Sequence, residues 1–191
     1  MSAATITVLI PVRGSAEFLP AALASLRAQE DVAWRALLVA DGAAAQAAAQ
    51  REAAADARIE IAHTTAATAL EALAVTAAAV TTEFLCVLDG DDLLAPAAFT
   101  ALRAALEAQP DAGMAYSRHV LVDAGGRVLG PGPLCELPYS ADALLLDFMT
   151  GPLRLLRSAA FRRAGGYANT DADAADYDLC LRLSETCGIV H

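Results

Sequence analysis

Asp89-Gly90-Asp91-Asp92 follows directly on the apolar run Phe84-Leu85-Cys86-Val87-Leu88, so a buried strand is expected to deliver three carboxylates into one sharp turn. Like charges at this spacing repel one another unless a cation or ordered donors compensate. Oxygen-rich clusters of this kind suit Mg²⁺ or Mn²⁺ bound together with phosphate, and the turn reads first as a metal and diphosphate site. The same tetrapeptide also fits a plain Asp-Gly turn followed by an Asp helix cap, because Pro96 and the stripe Phe99, Leu102, Leu106 open a helix just beyond. Asp41, before Gly42, ends a second strand-like segment, Trp34 to Ala40, in the same manner.

The elements that must position these residues alternate between strand-like and helix-like segments through the first half of the chain. That alternation is expected of a parallel sheet covered by helices on both faces. Ile6 to Val12 is an apolar strand, followed by a helix from Glu17 to Gln29 with Ser15 near its cap and Leu19, Leu23 and Leu26 on one face. Trp34 to Ala40 is the second strand, and an alanine-rich helix then runs to about Ala55. A short strand from Arg58 to Ala62, a second alanine-rich helix from Ala66 to Val80 and the strand Glu83 to Leu88 complete this half. Sheets of this type bind ligands beyond the carboxyl ends of their strands. Asp41 and the Asp89 turn both lie at such ends and can face one crevice.

Past Pro110 the character changes. Met114 to Val122 predicts a strand, Gly125-Gly126 a hairpin turn, and Arg127 to Leu129 a short return strand. Gly130 to Pro138 is expected as a loop, Ala141 to Met149 as a helix, and Leu153 to Arg157 as a strand. Ser158 then caps a short helix ended by Gly165-Gly166, and a last helix near Asp176 to Thr186 is closed by Gly188 before a stub of strand.

Composition narrows the classes of function. The 191 residues suffice for one substantial core and favour a single domain over two. The hydrophobic fraction of 57% is inflated by alanine tracts and gives no membrane signal. No run approaches the ~20 apolar residues of a spanning helix, and the N-terminus lacks a signal-peptide pattern. The expected location is the cytoplasm, free or peripheral at the inner face of the membrane. A formal charge of −10 without a basic patch argues against a nucleic-acid partner. Cys86, Cys135, Cys180 and Cys187 lack C-x-x-C spacing and read as reduced core residues. His63, His119 and His191 are isolated in sequence and read as strand-end or surface residues.

Together these landmarks resemble glycosyltransferase family 2, the inverting enzymes with a GT-A fold, over essentially the whole chain. The resemblance is carried by Thr7-Val8-Leu9-Ile10-Pro11-Val12 with the helix that follows, by Trp34 to Gly42, and by Glu83 to Asp92. It continues in Leu156-Arg157-Ser158, Gly165-Gly166-Tyr167 and the segment Asp176 to Leu183. It implies an α/β GT-A domain with a mostly parallel central sheet and helices on both faces, residues 1–110 binding the nucleotide sugar and residues 111–191 supplying the acceptor side and the base. It further implies transfer of a hexose-like sugar from a nucleotide-sugar donor, most often a UDP-sugar, to a hydroxyl of a glycan, lipid-linked glycan or protein, with Mg²⁺ or Mn²⁺ as cofactor.

The same resemblance assigns roles by position. Asp41 would accept from the N–H of the donor's base, for which a carboxylate is a strong partner. Pro11 and Arg13 would lie on the nucleotide side of the first strand. Asp89, Asp91 and Asp92 would share the ribose hydroxyls and the cation, with Asp91 and Asp92 as metal ligands. Asp176 would be the catalytic base, and the first turn of a helix favours its anionic form. Read locally, Asp176 equally serves as a helix-terminus charge, and Asp178 with Arg182 forms an exposed helix pair.

Three positions depart from the family's pattern. Ala175 stands where an acidic partner usually precedes the base, Leu73-Ala74 stands where an Arg-Asn pair usually faces the nucleotide, and the sequence stops at His191 soon after the base helix. Arg13 or Arg154 would then have to supply the cation missing opposite the diphosphate. These departures support an alternative, a catalytically degenerate member that binds nucleotide or carbohydrate. A phosphatase of the haloacid dehalogenase type would require a later lysine, and the chain has none. A sugar nucleotidyltransferase would need a fuller glycine-rich basic loop than Arg13-Gly14-Ser15.

Overall fold

A computed structural model describes residues 5–12, 16–30, 33–134, 136–168 and 171–191. In chain order the elements of the first half are β1 (Ile6–Val12), α1 (Leu19–Arg27), β2 (Trp34–Ala40), α2 (Ala43–Ala55), β3 (Ile59–Ile61), α3 (Ala69–Ala78), β4 (Phe84–Val87) and α4 (Ala98–Ala108). The second half holds β5 (Ala112–Tyr116), β6 (Val120–Val122), β7 (Val128–Pro131), α5 (Ala141–Leu144), β8 (Arg154–Arg157), α6 (Ser158–Arg163), α7 (Ala175–Thr186) and β9 (Gly188–Val190). Among the described residues, seven strands form one sheet in the order β3-β2-β1-β4-β8-β5-β9. Its strands are parallel except β8, which runs antiparallel between β4 and β5. The expected α/β fold with a mostly parallel sheet is therefore the observed one.

Both faces of the sheet are covered because side chains alternate along buried strands. Val8 and Ile10 of β1 and Phe84 and Cys86 of β4 pack with Leu23 and Leu26 of α1 and Phe99 and Leu102 of α4. Leu9 and Leu85, one step out of phase, pack on the other face with Leu73 of α3, Phe161 of α6 and Leu179 of α7. Burying that apolar area on both faces is the main stabilising contribution, at about 25 cal/mol per Å². Alanine supplies the contacts of α2 through Ala45, Ala48 and Ala49, whose small side chains bring that helix close to the sheet.

Four expectations need correction. The strand expected over 114–122 is two elements: β5 is buried throughout, whereas β6 is exposed throughout and pairs with β7 in a separate ribbon. Pairing stops where β8 begins, since Arg154 is the last partner of Tyr116. The helix expected to reach Met149 ends with Leu144, because Leu145 and Leu146 find no apolar face and are 69% and 88% exposed. Ser158 opens α6 without capping it; its buried hydroxyl has no hydrogen-bond partner, and the cap position belongs to Arg157. Arg182 does more than pair with Asp178 at 2.7 Å, for it also donates to the carbonyls of Ala164 and Gly166 and closes the end of α6. The caps expected from Ser15 and the thiol of Cys135 lie outside the described residues.

Candidate active site at the carboxyl ends of the strands

Parallel register carries β1, β2 and β4 to the same end of the sheet. Asp41 follows the last residue of β2 and donates its N–H to the carbonyl of Val12 at the end of β1. Beyond it Gly42 takes a φ of 86° and starts α2, a backbone that a side chain would strain. Pro11 is paired with Val39 of β2, and its missing N–H falls on the side that β4 has already left, since Leu88 makes its last bond to the carbonyl of Leu9. A proline is thus accommodated inside a central strand only at this end.

The acidic turn is closed by the N–H of Asp92 donating to the carbonyl of Asp89 at 3.0 Å. Protein crowds the Asp89 carboxyl from the sheet side although the residue is open to solvent, and this desolvation raises its pKa, followed by repulsion from Asp92, Asp176 and Asp91. Asp92 is likewise raised by desolvation and then by Asp91, with His119 acting the opposite way. Carboxylates separated by more than 80 residues in sequence therefore share one electrostatic neighbourhood.

Asp176 enters that neighbourhood from the first turn of α7. Its Oδ2 accepts from Nη2 of Arg154 at 2.5 Å and its Oδ1 accepts from the hydroxyl of Tyr167 at 3.0 Å. Its side chain stays 41% exposed, whereas that of Arg154 is only 10% exposed. Burial and the neighbouring Asp176 charge both push the Tyr167 hydroxyl well above the usual phenol range, so it remains a donor. Arg154 also donates to the carbonyl of Gly151 at 3.1 Å.

Sequence reasoning missed the pairing of Arg154 and Tyr167 with Asp176 and the approach of His119 to Asp92. One signal was available for the first: Arg154 adjoins the apolar pair Leu155-Leu156 at the start of a strand, and a buried charge requires a partner. Tyr177, on the same helix as Asp176, donates its hydroxyl to the carbonyl of Leu144. Leu73 packs in the core and offers no cation toward the nucleotide side. Arg13 lies outside the described residues.

Among the described residues, no group of three or more His, Cys, Asp or Glu side chains forms a complete metal cage. The acidic turn still fits a divalent cation of the hard, oxygen-seeking kind, because Mg²⁺ sites on phosphate substrates take one or two carboxylates and leave the other positions to phosphate and water. The repulsion within the turn is the strain such a cation relieves. A separate cavity of about 480 Å³, beside Arg157, Arg163 and Cys187, lies at the opposite end of the sheet and is lined by none of these carboxylates.

A mostly parallel sheet of this order, with its acidic turn beyond the central strands, defines a GT-A fold of the nucleotide-sugar transferases. Solved structures share it. S. aureus TarS 1-349 in complex with UDP-GlcNAc superposes with a TM-score of 0.76 at 14% identity over 97% of this chain and 55% of that one. The mannosyltransferase PcManGT from Pyrobaculum calidifontis, in complex with GDP-Man and Mn²⁺, gives 0.67 at 17% identity over 100% of this chain and 55% of that one. A CMP:2-keto-3-deoxy-manno-octonic acid synthetase complexed with CTP gives 0.57 at 14% identity over 99% of this chain and 88% of that one. The chain thus spans about half the length of the transferases it resembles. No curated protein sequence matches it.

The family model of glycosyl transferase family 2 matches residues 7–165, and the chain belongs to that family. The match covers Asp41 and the acidic turn and stops short of Asp176.

Proposed function

We propose that this chain is an inverting, metal-dependent glycosyltransferase domain, with residues 1–110 holding a nucleotide-sugar donor and residues 111–191 supplying the acceptor side. The observation that carries this reading is the convergence of Asp176 with the Asp89 turn, expressed in the repulsion Asp89 feels from it. The complexes of similar folds with UDP-GlcNAc and GDP-Man support a nucleotide-sugar donor, and a UDP-sugar is the donor we favour.

In this mechanism Asp41 accepts from the base N–H of the donor, Pro11 and Asp89 line the nucleotide side, and Arg13, outside the described residues, is assigned to the nucleotide by its place in the sequence alone. Asp91 and Asp92 would hold Mg²⁺ or Mn²⁺ together with the diphosphate. When bound, a divalent cation stabilises the charge that grows on the diphosphate as the sugar departs. Asp176 takes the proton of the acceptor hydroxyl while that oxygen bonds to the anomeric carbon from the face opposite the diphosphate. The bond from carbon to diphosphate breaks, nucleoside diphosphate leaves with the electron pair, and the anomeric configuration inverts. Ordered, partly shielded carboxylates suit this work, because general-base catalysis demands reach and a fixed geometry.

The decisive experiment measures transfer or hydrolysis of a panel of nucleotide sugars with Mn²⁺ or Mg²⁺ present and after chelation. Asp176→Asn is expected to lower kcat by about 10²–10⁴-fold with little change in donor KM. A second reading, a degenerate nucleotide binder, draws on the core position of Leu73. It predicts calorimetric UDP and Mn²⁺ binding without turnover for any donor.

A further inference from the structure

Arg154 is a buried cation whose placement is overdetermined. It opens β8 opposite Tyr116 of β5, donates to the Gly151 carbonyl, and lies over the Phe148 ring at 5.2 Å. Phe148 in turn stacks on Tyr177 of α7 at 5.1 Å. The sheet, the preceding loop and the base helix therefore all fix one guanidinium. Its Nη2 donates to Oδ2 of Asp176 at 2.5 Å, and Asp89 also feels its charge.

We infer that Arg154, assisted by Tyr167, is the positioning residue of Asp176, an assignment that rests on the transferase reading above. A carboxylate has about four lone-pair sites. Arg154 occupies one on Oδ2 and Tyr167 one on Oδ1, which fixes the plane of the group and leaves a free site on each oxygen for an acceptor proton. The same cation stands against the repulsion between Asp176 and Asp89, so a base and an acidic turn can be held close without a metal bound between turnovers. Two of its five N–H donors are held by Gly151 and Asp176 and its side chain is only 10% exposed, so Arg154 is assigned to the base and not to the diphosphate.

The test compares wild type with Arg154→Met, Arg154→Lys and Tyr167→Phe. Arg154→Met should lower kcat about 100-fold while the calorimetric Kd for UDP with Mn²⁺ changes less than about threefold. Arg154→Lys, which keeps charge but loses the fork, should recover about tenfold of that loss. Adding Arg154→Met to Asp176→Asn should cost little more than Asp176→Asn alone, since groups acting as one unit are not additive. Full additivity, or a Kd that rises as far as kcat falls, overturns the inference in favour of a structural or diphosphate-binding role. Crystal structures of wild type and the variants give a reading that needs no turnover: the Asp176 carboxylate should be single in wild type and displaced or split in Arg154→Met. A carboxylate that stays in place overturns the inference even in an active enzyme, whereas an inactive wild type with the expected displacement overturns only the transferase reading. Should Arg154→Met fail to fold, Arg154→Lys and Tyr167→Phe carry both measurements.

Discussion

Burial and mutual repulsion disfavour the ionised forms of Asp89 and Asp92, so the acidic turn works against folding at neutral pH. The sign follows from linkage. A carboxyl whose folded pKa lies above its unfolded value costs nothing below the unfolded pKa, and its penalty grows as pH rises through the folded one. Asp92→Asn should therefore raise Tm at pH 7, with the gain vanishing below ~pH 4, where the unfolded carboxyl is itself protonated. Calorimetry across that range checks it, and a loss of stability at pH 7 contradicts it. Asp56 has the opposite sign. Hydrogen bonds from Arg58, helped by Arg27, hold its carboxyl down to about 2 against the pull of burial. Its contribution is present above the unfolded pKa and is lost as pH falls toward about 2. Asp56→Asn is expected to cost about 1–2 kcal/mol at pH 7, screened as the partly exposed arginines require, and visibly less at pH 3.

Among the elements, β5 shows how little room the second half leaves. A methyl group on Gly113 would meet the Cβ of Ala160 at 2.6 Å and the Sγ of Cys187, both held by elements that pack on this strand. Gly113→Ala should destabilise the fold by roughly 1–3 kcal/mol, a loss measurable by chemical denaturation. Helix α3 has a capping box, in which the Thr68 hydroxyl accepts from the Glu71 N–H and the Glu71 carboxylate accepts from the Thr68 N–H. That Thr-x-x-Glu spacing stands in the sequence and would have set the start of α3 at Ala69 instead of Ala66. Thr68→Ala should cost about 1 kcal/mol. Strands β1 and β2 were legible to the residue, because a predominantly apolar run ended by a turn signal has one reading in a buried sheet. The segment from Met114 to Val122 was not. Its apolar residues resume at Val120 after the polar Ser117-Arg118-His119, and the position of β8, distant in sequence, ends the pairing of β5 at Tyr116.

For the whole molecule, sequence pattern gave the α/β class and the shared end of the sheet, since both depend on local alternation. The side-chain company of Asp176 depends on where β8 inserts, and no local pattern encodes that. Among the described residues no helix is long and apolar enough to cross a membrane. UDP with Mn²⁺ at about 100 times Kd should stabilise the fold by roughly 2.7 kcal/mol. Chelation should remove most of that gain. An unchanged Tm across a nucleotide panel would count against the nucleotide-side reading.

The position of β8 also has a meaning in time. A ribosome delivers β4 and β5 long before the strand that must lie between them. The left half, β3-β2-β1-β4, can assemble from local crossovers as it emerges, while the right half waits for residues 154 to 157. A nascent chain at that stage carries an open flank on β4, the sort of flank that recruits a stranger's strand. Charges beside an open strand edge discourage such pairing, and the late arrival of β8 closes the sheet and, in the same event, brings Arg154 to Asp176.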